Sequence, residues 1–436
     1  MMLKLIRYCI LALLTGVAVL FAGCHSDAPV APDAEGPDMS GPDPAKVTLC
    51  LNVSIDGQEN TTRADLTDQD GYENASGNFE KIKTLRVIIV RDLPDDKTWG
   101  VIEANRLVST HDNGNPINDN LEFRVRANES KRIYLVANER YLTYISDKYN
   151  TASEFLSSFK VDKDNPSKVD LTPLEEWTVS LRDVTEISID GVDKEATTEG
   201  LFAPTELDPE PLLPLTEFFD IYVDREKAID EICYSNLFMT RAAAKVSFYI
   251  DDTDTSAAYE KVKITAITLS GIGSKEYVFP NGAKYSKGKY QDTSTPDLNM
   301  YITDFNTPAD CKALTYLMQD LEIPVVDDTS SEKERKISDV SIYFPESILS
   351  TSDERYEVGV RLSTGVWLTA PLVDNILNIK GKEAVARNTH LKIILKFTSP
   401  EMTAEVSVVP YIGIELKPGF GFDGLLPGDH SQPTDW

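Results

Sequence analysis

Hydrophobic and polar residues alternate cleanly over residues 46–56 (KVTLCLNVSID). One face of this stretch carries the apolar side chains Val47, Leu49, Leu51 and Val53. The other face carries Thr48, Cys50, Asn52 and Ser54. Because successive side chains of a strand point to opposite sides, this period of two predicts a β-strand with one buried face.

Short alternating or β-branched stretches recur along the rest of the chain. Further strands are predicted at residues 82–90, 121–125, 133–136, 246–250, 262–269, 340–344, 356–362, 366–368 and 391–397. In the last of these, Leu391, Ile393, Leu395 and Phe397 share one face. Many short strands between turn-rich spacers predict an all-β fold built from sandwiches.

Few helices are predicted. A short helix is expected over residues 151–159. A second is expected to begin at Thr307, because Thr307 suits the N-cap, Pro308 the first helical position and Asp310 the first turn. In that second helix Cys311, Leu314 and Met318 would share one face.

The length of 436 residues exceeds one ordinary domain and suits two. An acidic, loop-rich stretch with prolines at 204, 209, 211 and 214 precedes the expected boundary. We therefore predict an N-terminal sandwich domain over residues 46–235 and a C-terminal one over 236–420, with a flexible tail at 421–436.

The N-terminus has the marks of a secretory signal peptide over residues 1–23. Lys4 and Arg7 precede an apolar run, residues 10–21, that is too short to span a bilayer. The following residues Phe21-Ala22-Gly23-Cys24 resemble a bacterial lipobox, which implies acylation of Cys24, for example with palmitate. An ordinary signal peptide with a chance cysteine is the alternative. Two or more acyl chains would anchor the protein stably in a membrane. The acidic residues after Cys24 resemble the signal that sends some lipoproteins to the cell surface, so we expect a lipid-anchored protein on the outer membrane.

Residues 24–45 form an acidic, proline-rich tether without Lys or Arg. The whole chain has a net charge of -28, which repels nucleic acid, so nucleic acid is excluded as a partner. Of the five cysteines, Cys50, Cys233 and Cys311 remain beyond the proposed lipid site. They allow at most one disulfide and have no zinc-site spacing.

No catalytic motif and no cofactor or metal site is predicted. The four histidines are scattered, and no nucleotide-binding, zinc-protease or serine-hydrolase motif occurs. Carboxylates are abundant, but nothing selects two of them as a glycosidase pair. Trp99 and Trp367 each lie near a glycine and could stack on sugars, although packing into the fold is the ordinary role of such residues.

The chain contains several short motifs: the lipobox, the early alternating strand, Thr61-Thr62-Arg63-Ala64, Met239-Thr240-Arg241-Ala242-Ala243-Ala244-Lys245-Val246, Ala386-Arg387-Asn388-Thr389-His390 and the terminal run from Val409 to Gly421. Together they resemble fimbrillin-like lipoproteins of Bacteroidetes type V pili. The resemblance covers nearly the whole chain. It implies two tandem transthyretin-like, Greek-key β-sandwich domains and assembly by strand exchange.

In polymerising subunits of that family, an Arg-specific protease cuts after the first strand, and a neighbour's strand fills the groove. The resemblance implies a cut between Arg63 and Ala64, with Val47, Leu49, Leu51 and Val53 on the exchangeable strand. An ordinary exposed loop is the alternative for Arg63. The partners would be other pilus subunits, joined by strand complementation, and the outer membrane, through the lipid on Cys24.

The C-terminus departs from the pattern of a shaft subunit. After Pro418 the chain reads GFGFDGLLPGDHSQPTDW, in which glycine and proline disfavour a strand that could be donated. We therefore expect an end piece: an anchor if Arg63 stays uncut, or a tip if the cut removes the lipid. A lipid-tethered glycan- or host-binding protein outside any pilus is the competing hypothesis, and a hydrolase is the least favoured.

Overall fold

The computed structural model of this chain describes most of its sequence. The described residues are 46–55, 82–93, 98–109, 121–144, 148–163, 166–189, 191–203, 212–287, 300–327, 334–338, 342–373, 376–398, 401–409 and 415–416. Strands dominate them, so the predicted all-β fold is confirmed. Within this part of the chain no helix is long and apolar enough to cross a membrane.

The first part of the described chain, up to residue 241, contains eleven strands and two short α-helices. The strands are β1 Lys46–Ile55, β2 Thr84–Arg91, β3 Trp99–Ser109, β4 Glu122–Arg126, β5 Glu129–Ala137, β6 Lys168–Asp170, β7 Thr178–Ser180, β8 Thr185–Ile189, β9 Val192–Thr197, β10 Leu215–Val223 and β11 Ile232–Arg241. The helices are α1 Ala152–Ser157 and α2 Thr172–Glu175. Single 3-10 turns occur at Glu139–Tyr141, Arg225–Lys227 and Ala257–Tyr259.

The later part of the described chain is built from strands. They are β12 Ala244–Asp251, β13 Lys263–Gly273, β14 Lys275–Tyr277, β15 Lys284–Lys287, β16 Met300–Asp304, β17 Ala313–Met318, β18 Ile323–Pro324, β19 Glu334–Lys336, β20 Ile342–Phe344, β21 Ser347–Ile348, β22 Glu357–Leu362, β23 Trp367–Val373, β24 Leu377–Ile379, β25 Lys382–Val385, β26 His390–Phe397, β27 Met402–Val409 and β28 Glu415–Leu416.

A nine-stranded sheet encloses the first of two large cores. Its order is β28-β1-β11-β10-β5-β2-β3-β6, with β4 also paired to β1. The β10–β11 ladder is only two residue pairs long, Leu215 with Arg241 and Thr216 with Thr240. The apolar cluster between the strands is buried, and nearly all of its residues lie on strands of this one sheet. A single flat sheet could not bury them, so the sheet bends at β10–β11 and its two parts face each other.

A twelve-stranded sheet surrounds the larger core, in the order β19-β12-β26-β27-β23-β22-β13-β17-β9-β8, with β18 also paired to β13 and β20 to β12. Strand β26 buries its predicted face, with Leu391, Ile393, Leu395 and Phe397 at most 3% exposed. The same core extends to the outer side of β2 and β5 and to helix α1. Strand β11 runs across the predicted domain boundary at residue 235, and the division into two domains stays a prediction.

One predicted helix is confirmed and the other is wrong. Helix α1 begins after Thr151, whose hydroxyl oxygen accepts a hydrogen bond from the Glu154 N–H at 3.1 Å. The residues after Thr307 instead make a turn, closed by a Cys311 N–H to Pro308 carbonyl bond of 3.0 Å, and then enter strand β17. Pairing of β17 with β13 and burial of Leu314 and Tyr316 outweigh the local helix signal.

A fully buried ion cluster ties several segments together. The Arg387 guanidinium lies 2.7 Å from Glu346 Oε1 and 3.6 Å from Glu276 Oε2, and it donates to the Val278 carbonyl at 2.9 Å. That carbonyl also accepts from the Thr216 hydroxyl of β10. The outer oxygens Glu276 Oε1 and Glu346 Oε2 have no hydrogen-bond partner among the described residues. Two carboxylates and one guanidinium would leave an excess negative charge there.

A proton on Glu276 relieves this excess. Burial, and then the neighbouring Glu346 carboxylate, raise the pKa of Glu276 well above its ordinary range, although Arg387 opposes the shift. Because the folded-state pKa is raised, the folded protein binds this proton more tightly than the unfolded chain does. The resulting stabilisation is complete below the unfolded pKa, near 4.5, and is lost as pH rises through the raised folded value.

We therefore predict that the free energy of unfolding falls as the pH rises from about 5 to 9, by roughly 1 to 3 kcal/mol from this group. Glu276→Gln should flatten the decline, because an amide cannot lose the proton. Urea unfolding at a series of pH values measures the effect, with Glu260→Gln on the exposed surface as the matched control. An unchanged pH slope in Glu276→Gln would contradict the assignment.

Candidate strand-exchange site

Strand β1 supplies one wall of the first core. Its four apolar side chains, Val47, Leu49, Leu51 and Val53, are at most 1% exposed. They pack in the cluster formed by β2, β4, β5, β10 and β11. The alternation in the sequence therefore has its structural counterpart in a strand that is buried on one face, whereas the half-buried Cys50 lies between the inward positions.

The backbone of β1 is paired on both edges. On one edge it runs parallel to β11, with Thr48 opposite Ile232 and Ile55 opposite Met239. On the other it runs antiparallel to β4, with Lys46 opposite Arg126 and Cys50 opposite Glu122. A strand held between two neighbours cannot leave without exposing the hydrogen-bonding groups of both, which makes the vacated position a template for another strand.

The burial of β1 is large on the scale of protein stability. Burying a Val or Leu side chain is worth about 1.5 to 3 kcal/mol, so these inward residues together contribute roughly 6 to 12 kcal/mol. The net stability of a whole domain is about 5 to 15 kcal/mol. The first core therefore depends on having this strand, or an equivalent one, in place.

Polar contacts fix the start of β1. The Thr48 N–H donates to the Glu231 carbonyl at 2.8 Å. Arg124 of β4 lies 3.3 Å from the Glu231 carboxylate and donates to the Thr48 hydroxyl at 3.5 Å. Glu231 is half exposed, so this ion pair adds little stability, but it helps to define the register of the strand.

The three cysteines of the described residues are free thiols. Cys50, Cys233 and Cys311 are all half-buried and unpaired with one another, so the disulfide that the sequence left open does not form. Burial raises the pKa of the Cys50 thiol to about 11, and Glu122 and Cys233 add to the shift. Burial likewise raises the pKa of Cys233. A protonated thiol is a poor nucleophile, which suits a structural role.

The lipidation and cleavage residues and the two tryptophans are the remaining candidates. Cys24, Arg63 and Ala64 lie outside the described residues, so lipidation and cleavage stay predictions. Trp99 is 47% exposed at the start of β3, opposite Asp170 of β6. Trp367 is half-buried on β23, in the other large sheet, opposite Arg361. The two tryptophans therefore lie on different sheets.

Two of the sequence motifs meet in the structure. The backbone N–H and Nη1 of Arg241 donate to Asn388 Oδ1 at 3.3 and 3.1 Å. Asn388 has a φ of 55°, in the left-handed region that asparagine tolerates. Beside this contact, Lys245 of β12 pairs with His390 of β26. The motifs around Arg241 and Asn388 thus form a joint at the turn from the first sheet to the second.

Sequence reasoning missed the buried polar residues around the first sheet. Arg86 of β2 pairs through two bonds with Glu139, at 2.5 and 2.8 Å, and donates to Asn105 at 2.9 Å. Asn105 in turn donates to the carbonyls of Leu156 and Phe159, which holds α1 against the sheet. The sequence offered no signal for this network, because its members are separated by tens of residues and lie in ordinary polar positions.

Among known proteins, the ones found to be similar to this chain are solved structures. No protein-family model matches the chain, and no curated protein matches it in sequence. The chain is similar to the fimbrial tip protein Mfa3 from Porphyromonas gingivalis, at 11% identity and a TM-score of 0.44, over 84% of this chain and 100% of that one.

Two further solved structures are similar at the same level. A fimbrilin, FimA, from Porphyromonas gingivalis is 14% identical with a TM-score of 0.41, over 83% of this chain and 98% of that one. A fimbrial assembly protein from Parabacteroides distasonis is 12% identical with a TM-score of 0.36, over 84% of this chain and 100% of that one. These solved structures, like the family that the sequence resembles, are fimbrial proteins.

The inward face of β1 should be far more sensitive to truncation than its outward face. We predict that Leu51→Ala lowers the free energy of unfolding by about 2 to 5 kcal/mol, because it leaves a cavity in the first core. Cys50→Ala, next to it on the outward face, should cost about 1 kcal/mol or less. Guanidinium unfolding followed by circular dichroism measures both, and equal losses would contradict the proposed role of this face.

Proposed function

We propose that this protein is a structural subunit of a cell-surface pilus, an anchor or a tip, that associates with pilins by β-strand exchange. The observation that carries the proposal is strand β1. It comes from the start of the described chain, is paired on both edges and buries four alternating apolar side chains. A strand from another chain with the same alternation could make the same backbone bonds and fill the same positions.

The sequence around β1 supports exchange at this position. Arg63 follows the strand in a polar stretch, and such stretches are the usual places for proteolytic cleavage. A cut there would separate β1 from the rest of the first core covalently. Because that core depends on β1 for much of its stability, the cut chain would gain strongly from accepting a strand from a neighbour.

The two ends of the chain suggest where in the pilus it belongs. Acylation of Cys24 and the acidic tether that follows would hold the protein at the outer membrane, on the cell surface. The glycine- and proline-rich residues after Pro418 are unsuited to donation to a further subunit. This composition favours a place at an end of the polymer: a tip if the cut lets a neighbour's strand replace β1, or an anchor if β1 and the lipid stay. The proposed role is structural, and it needs no catalytic site.

The experiment that tests this proposal is mass spectrometry of the protein isolated from the cell surface under conditions that preserve its complexes. We predict that it is recovered with other pilus subunits. An N-terminus at acylated Cys24 assigns the anchor, since the lipid is retained. An N-terminus at Ala64 assigns the tip, since the lipid and β1 have left.

The control is the Arg63→Lys variant, which an Arg-specific protease does not cut and which retains the charge. A chain recovered alone, with an unacylated N-terminus at neither position, would contradict the proposal. Recovery of that lone chain on a glycan column would favour the competing binding-protein hypothesis.

A further inference from the structure

The second edge of β1 is covered by two strands placed end to end. Strand β4 pairs with the first half of β1, and its coverage ends where the Leu51 N–H donates to the Leu121 carbonyl at 3.0 Å. Beyond that point, β28 takes over: Val53 lies opposite Leu416, and Ser54 lies opposite Glu415. Strand β28 thus comes from the far end of the described chain and contacts the first strand.

Without β28, the last part of β1 would have an uncovered backbone edge on this side. Uncovered edges present unpaired N–H and carbonyl groups and invite pairing with strands of other chains. On the opposite side the same residues are already held by β11, with Val53 opposite Leu237 and Ser54 opposite Phe238. The position of β28 is therefore the place where an incoming strand could first contact β1.

We propose that the segment Glu415–Leu416 is a clasp that pairs in cis with β1, slows the release of that strand and is thereby withheld from other copies of the chain. This inference rests on the proposed strand exchange. It adds a reason why the chain would end a polymer: its own C-terminal segment is already engaged within the same molecule.

The clasp is short, and its length sets its strength. Two paired residues contribute one or two backbone hydrogen bonds, each worth about a few-fold to tenfold in an equilibrium. Such a contact delays strand release without preventing it. A longer ladder, like the eight paired positions between β1 and β11, would hold the strand far more firmly.

The first test measures the pairing itself by disulfide cross-linking in the full-length chain. Ser54 and Glu415 are directly opposite each other, so the double variant Ser54→Cys/Glu415→Cys should form a disulfide under mild oxidation. The matched control is Thr48→Cys/Glu415→Cys, because Thr48 lies opposite Arg124 of β4 instead. Peptide mass spectrometry locates the link. We expect at least tenfold more cross-link in the first variant, and equal yields would overturn the clasp.

The second test measures the effect of the clasp on strand release. After cleavage with an Arg-specific protease, the fragment containing β1 should leave about tenfold faster from Leu416→Pro than from the unmodified chain, because proline removes a backbone N–H. Leu416→Ala keeps the N–H and serves as the matched control. In the oxidised Ser54→Cys/Glu415→Cys variant, the disulfide should retain the fragment until a reductant is added. Equal release rates for the proline variant and the unmodified chain would overturn the clasp.

The two proposals fail in different ways. If the fragment with β1 never leaves any cut variant, strand exchange fails, and the cross-link yield still decides whether β28 pairs with β1. If the fragment leaves readily and the cross-link yields are equal, strand exchange stands and the clasp is wrong.

Discussion

The burial of a single strand from the start of the chain determines how the first core is closed. Strand β1 lies between β11 and β4 and places four apolar side chains against strands of the facing part of the same sheet. These strands come from positions along the chain that are up to about two hundred residues apart. The core can form only when β1 and β11, which lie far apart in the chain, come together, so the position of β1 is not determined by its local sequence alone.

The second sheet and the larger core are held together by contacts that do not involve β1. The joint between Arg241 and Asn388, the buried cluster of Arg387 with Glu276 and Glu346, and the large core around β26 all lie on other elements. Buried ion pairs of this kind add little net stability, because removing the charges from water costs about as much as their attraction returns. A chain built this way could lose one strand of its first core while the second sheet stays folded, as strand exchange requires.

The sequence predicted the elements whose signal is local. The predictions of strands β1 and β26 and of helix α1 were correct. Each rests on a pattern of consecutive residues, and each element buries the face that its pattern implies. The helix at Thr307 was wrong because pairing with β13 determines the conformation of β17. The parallel partner of β1 and the partners of Arg387 could not be predicted, since they depend on contacts between distant residues.

The measurement that tests the central claim most directly is strand replacement in vitro. The chain is cut at Arg63 with an Arg-specific protease and offered a fluorescent peptide with the sequence of β1, KVTLCLNVSI. Two variant peptides carry aspartate in place of Leu49 and Leu51, or in place of Thr48 and Asn52. The account predicts uptake of the native peptide and of the Thr48/Asn52 variant, and none of the Leu49/Leu51 variant. No uptake of any peptide, or equal uptake of all three, would contradict the claim that β1 is an exchangeable strand selected by its inward face.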